Sequence, residues 1–98
     1  MGEHDKKMSI VREHFVFTGR VQGVGFRYKA SSLARHYGVT GWIRNNGDGS
    51  VEAQLQGREE ALDMMLQGLH QDSYIRIDWI TRERMEVDAK QKGFTVRY

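Results

Sequence analysis

Apolar and polar residues alternate along residues 10–18, IVREHFVFT. Val11, Phe15 and Phe17 point one way, and Ile10, His14, Val16 and Thr18 the other. A period of two carried by β-branched and aromatic side chains predicts a strand. The pattern breaks at GRVQGVG, three glycines in seven residues, which reads as a turn. From Phe26 the period lengthens. Phe26, Ala30, Leu33, Ala34 and Tyr37 fall at i, i+4, i+7, i+8 and i+11, one face of a helix. Gly38 stands where a left-handed C-terminal cap belongs. Residues 39–45, VTGWIRN, read as a second strand, and Asn46-Gly47-Asp48-Gly49 as a hairpin turn, because these residue types tolerate positive φ. Val51, Ala53 and Leu55 alternate with Glu52, Gln54 and Gln56 in a third strand that Gly57 is expected to end. Over 58–70, Ala61, Leu62, Met65, Leu66 and Leu69 mark a second helical face. Ile75, Ile77 and Trp79 alternate with Arg76, Asp78 and Ile80 in a fourth strand, and Phe94, Val96 and Tyr98 with Thr95 and Arg97 in a short last one. Between these two strands, residues 82–92 are charged and read as an exposed connection.

The element order is βαββαβ plus a short C-terminal strand. It predicts an α+β fold, a ferredoxin-like sandwich with a mostly antiparallel sheet and two helices on one face. The 98 residues suffice for one domain, expected over 9–98. Residues 1–8 read as a flexible, solvated N-terminal tail in which Met8 offers a second start. The last strand runs to Tyr98 with no tail leading onward, as expected of a complete chain.

Charge and composition narrow the function classes. Fifteen Lys and Arg against 13 Asp and Glu leave a net charge of +2, too mild for the basic stripe of a nucleic-acid binder. The chain has no cysteine, which removes disulfides, thiolate nucleophiles and iron–sulfur clusters and agrees with a cytoplasmic location. No apolar run approaches the ~18 residues of a membrane span, and the N-terminus has no secretory h-region. His4, His14, His36 and His70 are scattered without metal-ligand spacing and read as structural or surface residues. Trp42, Trp79, Met64 and Met65 read as packing residues, with part-exposure near an edge as the alternative for Trp79. No metal and no cofactor is expected, and the protein is expected to be a monomer.

The glycine turn carries the chemistry. A loop that opens onto a helix N-terminus is a natural anion site, because the first helical N–H groups have no partner within the helix and the dipole favours negative charge. Residues 19–27, GRVQGVGFR, place Gly19, Gly23 and Gly25 before the helix and Arg27 in its first turn. An arginine there adds a permanent charge and a planar fork that matches two phosphate oxygens. The segment is not a nucleotide P-loop, which ends in Gly-Lys-Ser/Thr where this chain has Gly25-Phe26-Arg27. Nor is it a dinucleotide fingerprint, since Tyr28 occupies the third glycine position. GVGFRY is faintly similar to the glycine-aromatic motif of RNA-recognition domains, but that motif lies on a third strand, and here the third strand, SVEAQLQ, has no aromatic.

Two segments together resemble the acylphosphatase family: GRVQGVGFR at 19–27 and GWIRNNGDGSVEAQLQG at 41–57. The first matches a pattern of Gly, any residue, Val-Gln-Gly-Val, any residue, an aromatic or Met, then Arg. The second matches Gly-aromatic, two residues, Asn, three residues, Gly, any residue, Val, and a Gly six later. Together they cover about a quarter of the chain. Two departures, Phe17 where an aliphatic residue is usual and Ile43 for the commoner Val, Ala or Cys, lie outside the chemistry. The resemblance implies hydrolysis of acyl phosphates to a carboxylate and inorganic phosphate, without a metal. By it, Arg27 matches the substrate-binding arginine and Asn45 the water-orienting asparagine. The backbone amides of Gln22, Gly23, Val24, Gly25 and Phe26 match the phosphate cradle. The partners it implies are a small acyl phosphate as substrate and inorganic phosphate as product and inhibitor, with no nucleic acid and no membrane.

The chemistry is physically reasonable. An acyl phosphate has a good leaving group, so positioning and charge stabilisation do most of the work. A side-chain amide both donates and accepts, so Asn45 can hold a water without being a strong base. Arg27 and Asn45 are expected to flank one shallow, positive pocket. Two alternatives stand beside this reading. Asn45 also suits an ordinary role beside the Asn46-Gly47 turn, and the same scaffold can serve as a non-catalytic anion-binding or regulatory module.

Overall fold

The computed structural model describes residues 9–98. The expected tail, His4 and the Met8 start lie outside them. The elements are β1 (Ile10–Arg20), α1 (Phe26–Tyr37), β2 (Thr40–Asn45), β3 (Val51–Arg58), α2 (Glu59–His70), β4 (Arg76–Met85) and β5 (Phe94–Arg97). They form one five-stranded sheet in the order β4-β1-β3-β2-β5. Every pairing is antiparallel except β2 with β5. This is the ferredoxin-like α+β arrangement that the element order predicted.

The core lies between one sheet face and the two helices. Phe15 and Phe17 of β1, Val51, Ala53 and Leu55 of β3, and Ile43 of β2 join Phe26, Ala30 and Ala34 of α1 and Leu62, Met65, Leu66 and Leu69 of α2 in one buried cluster. Phe15 stacks on Phe17 with ring centroids 5.7 Å apart, and Phe17 meets Phe26 at 5.0 Å. Each such pair contributes ~0.5–1.5 kcal/mol beyond its area burial. Phe17 therefore holds the start of α1 against the end of β1, across the glycine turn. Gly38 closes α1 in the left-handed conformation at φ 71°, as expected, and the Val39 N–H donates to the Ala34 carbonyl at 2.8 Å.

Several expectations need correction. Gly57 does not end β3. The ladder with β1 continues through Val11↔Gly57 to Ile10↔Arg58, so the longer partner strand carries it on.

Residues 82–92 are not one exposed connection, because Arg82 to Met85 complete β4, which pairs with β1 as far as Arg12↔Met85. β4 is an edge strand, and at its Arg82–Met85 end the inward contact is ionic. Glu13, with only 8 % of its side chain exposed, accepts from Arg82 at 2.5 Å and from Arg84 at 3.3 Å. Beyond β4, Gln56 clasps the backbone of Asp88 with two hydrogen bonds, of 2.9 and 2.8 Å.

Trp79 is not a packing residue but 70 % exposed, and Met64, expected to pack, is exposed as well. A register shift between Thr18 and Gly19 passes over Asp78, so that Thr18 pairs with Trp79 and Gly19 with Ile77. Ile77 and Ile80 thereby both reach the core while Trp79 turns outward. The irregularity requires glycine at 19, where a Cβ would run into the Arg76 carbonyl oxygen.

Candidate active site

The loop from β1 to α1 is shaped by two left-handed glycines, Gly23 at φ +73° and Gly25 at φ +80°. A Cβ at either would meet nothing within 4 Å, so glycine serves the backbone conformation there rather than making room. Gly25 is the N-cap of α1 and supplies no side-chain cap. The ladder of the helix begins with the Lys29 N–H donating to the Gly25 carbonyl at 2.9 Å, which leaves the N–H groups of Phe26, Arg27 and Tyr28 without helical acceptors. The first turn of α1 contains no acidic residue, whereas α2 places Glu59 and Glu60 in its own. The positive end of α2 is thus offset by its own carboxylates, and that of α1 is not.

A cavity of about 450 Å³ opens beside this loop. Gly23, Gly25, Phe26 and Arg27 line one side and Asn45 another. The structure therefore brings together Arg27 and Asn45, which stand 18 residues apart in the sequence. The lining includes two arginines, Arg27 and Arg35, and no aspartate or glutamate. Arg27 lies over the ring of Tyr98, 5.1 Å from its centroid, in a cation–π contact. One turn along the helix, Ser31 donates its hydroxyl to the Arg27 carbonyl at 2.8 Å.

Asn45 is the last residue of β2 and pairs with Val51. Its Oδ1 is buried and has no hydrogen-bond partner among the described residues. The turn that follows is held by its own side chains. Asp48 accepts from the Ser50 N–H at 2.9 Å and from the Ser50 hydroxyl at 2.6 Å, which holds the Asp48 carboxyl below its ordinary value. Gln22 ties this turn to the glycine loop, donating Nε2 to the carbonyls of Asn46 and Ser50 at 2.8 Å each. Of the two remaining expected cradle residues, Gln22 thus turns its side chain to the hairpin, and Val24 packs against the core.

The family model for acylphosphatase matches residues 13–96. The chain belongs to the acylphosphatase family. It is 38 % identical over 88 residues to an acylphosphatase of Geobacillus kaustophilus, covering 89 % of this chain and 94 % of that one. With an acylphosphatase of Bifidobacterium longum the identity is 51 % over 61 residues, 62 % of this chain and 63 % of that protein. Among solved structures, acylphosphatase from Bacillus subtilis superposes with a TM-score of 0.82 at 28 % identity, covering 90 % of this chain and 99 % of that one.

Reading the sequence did not single out Ser31, Arg35 or Tyr98 as cavity residues. A signal for the first two was present: Arg27, Ser31 and Arg35 recur every four residues and so share a helix face. That face is polar, and apolar periodicity does not see it. Tyr98 reaches the cavity only because β5 lies beside β2, a pairing the sequence pattern does not specify.

Proposed function

We propose that the cavity is where this acylphosphatase hydrolyses acyl phosphates to a carboxylate and inorganic phosphate. The phosphate sits against Arg27 and the backbone amides between Gln22 and Phe26, and Asn45 orients the water. The observation that carries this reading is the meeting of Arg27 and Asn45 in one cavity at an uncapped, unneutralised helix N-terminus. Charge on the equatorial phosphate oxygens is met by the Arg27 fork and by N–H groups already aimed outward. The water oxygen attacks phosphorus, held by the side-chain amide of Asn45, which lines the same cavity. The P–O bond to the acyl group breaks, its electron pair leaves with the carboxylate, and a proton from the water passes to a phosphate oxygen. The carboxylate is a good enough leaving group to need no general acid, and no step calls for a metal.

The reading takes the enzyme as a cytoplasmic monomer. The chain has no cysteine, which is compatible with that compartment. No helix among the described residues is long and apolar enough to cross a membrane. The test is hydrolysis of benzoyl phosphate in the presence of a chelator, with gel filtration alongside. Turnover with competitive inhibition by inorganic phosphate is expected. A folded protein without turnover would leave only an anion-binding module.

A further inference from the structure

Arg35 has no place in the reaction just described, yet it lines the same cavity as Arg27. It is exposed, and it has no carboxylate partner among the described residues, whereas Arg44, Arg76, Arg82 and Arg84 are each paired with one. Its position along α1 sets what it can reach. Eight residues of helix separate the Cα atoms of Arg27 and Arg35 by about 12 Å along the axis. Helical side chains lean toward the N-terminus, Arg27 and Arg35 alike, so the two guanidinium groups keep this spacing of about 12 Å along the helix. Between the two lies Ser31, small and uncharged, with its hydroxyl engaged by the Arg27 carbonyl. The cavity lining therefore carries two guanidinium groups along one helix face and no aspartate or glutamate.

We infer that Arg35 is a specificity-determining residue: it binds a second anionic group on the acyl half of the substrate and selects acyl phosphates of short dicarboxylic or phosphorylated acids over neutral ones. The phosphoryl group occupies the Arg27 end, the acyl chain lies over Ser31, and the distal carboxylate or phosphate meets the fork of Arg35. This assignment rests on the proposed acyl phosphate hydrolysis at the same cavity.

The experiment compares kcat/KM for succinyl phosphate and benzoyl phosphate in wild type, Arg35→Ala, Arg35→Lys and Arg35→Glu. An exposed ion pair is of modest strength, so Arg35→Ala is expected to lower the succinyl-to-benzoyl ratio about fivefold. Arg35→Lys keeps most of the ratio, and Arg35→Glu lowers it beyond the alanine variant. Added salt brings the wild-type ratio toward that of Arg35→Ala. A ratio unchanged in all three variants, with benzoyl phosphate still hydrolysed, overturns the role of Arg35 and leaves the activity standing. Failure of folded wild type to hydrolyse either substrate overturns the activity and this inference with it.

Discussion

The Nε2 of Gln22 donates to the carbonyl oxygen of Asn46 at 2.8 Å, the residue next in the chain to Asn45. The same nitrogen reaches the Ser50 carbonyl at 2.8 Å. One side-chain amide therefore joins the loop proposed to hold the phosphate to the hairpin that carries the residue proposed to hold the water. The two halves of the site come from separate stretches of chain, and Gln22 sets their spacing.

Replacing Gln22 with alanine should consequently cost activity as well as stability. Both carbonyls keep another donor, from Gly49 N–H to Asn46 at 3.3 Å and from Asn46 N–H to Ser50 at 2.9 Å, so neither is orphaned. The expected loss is about 1 kcal/mol per bond, read from urea unfolding. A misplacement of well under 1 Å between water and phosphorus is enough to lower kcat/KM by about tenfold or more. Gln22→Glu should be worse than alanine, since a carboxylate cannot donate to either carbonyl. A Gln22→Ala enzyme with full activity would show that the hairpin keeps its place without this tie.

Arg27→Ala should remove ~3–4 kcal/mol of transition-state stabilisation, the magnitude of one well-placed donor to developing charge. Inhibition by inorganic phosphate should weaken in parallel, because the same fork is proposed to hold the product. Arg27→Lys should recover only part of either, since an ammonium offers one point charge in place of a two-pronged fork. Steady-state kinetics with phosphate as competitor measure both. Equal inhibition of wild type and Arg27→Ala by phosphate would place the anion elsewhere.

The fold was legible in the sequence because most of its elements bury one side on the same core. Phe26, Ala30 and Ala34 mark α1, and Val51, Ala53 and Leu55 mark β3, by spacing alone. Legibility failed where polar groups do the packing. Arg82 and Arg84 look like a solvated run, but they extend β4 because buried Glu13 draws them across the sheet edge. It failed again at Trp79, where one irregularity beside Gly19 inverts the alternation. At the candidate site, Arg27 and the glycines were visible as a local motif in one stretch of chain. Arg35 was hidden in a polar helix face, and Tyr98 depended on the parallel placement of β5 against β2.

The open sheet face gives a prediction about acid. Glu52 lies between His14, 2.6 Å away, and Arg44, 2.9 Å away. The His14 hydrogen bond is the largest influence holding the Glu52 carboxyl below its ordinary 4.5; burial opposes it, and Arg44 adds to it. A carboxyl depressed in the folded state binds fewer protons there than in the unfolded chain. The stability it contributes is present above pH 4.5 and is lost as pH falls through the depressed value. Glu52→Gln should therefore be less stable than wild type at neutral pH, with the gap narrowing steadily below pH 4.5. Urea midpoints across that range measure it, and a gap independent of pH would contradict the linkage.

Asn45 should separate activity from stability most sharply. Its buried Oδ1 finds no partner among the described residues, and an unsatisfied acceptor of this kind costs about 1–3 kcal/mol of folding free energy. In the proposed mechanism the Asn45 side chain is kept for the attacking water rather than for the hairpin. Asn45→Ala removes the unpaired oxygen together with the side chain, so the variant should be as stable as wild type or slightly more so. Its kcat should fall by about 10²–10³, the range for loss of one positioned polar group in an active site. KM and inhibition by phosphate should hardly move, because Arg27 and the loop amides hold the anion without Asn45. Asn45→Asp should behave differently, weakening phosphate inhibition as well by bringing a carboxylate side chain into a cavity whose lining has no aspartate or glutamate. The opposite pattern, with kcat retained and stability reduced in Asn45→Ala, would make Asn45 a residue of the hairpin and not of the reaction.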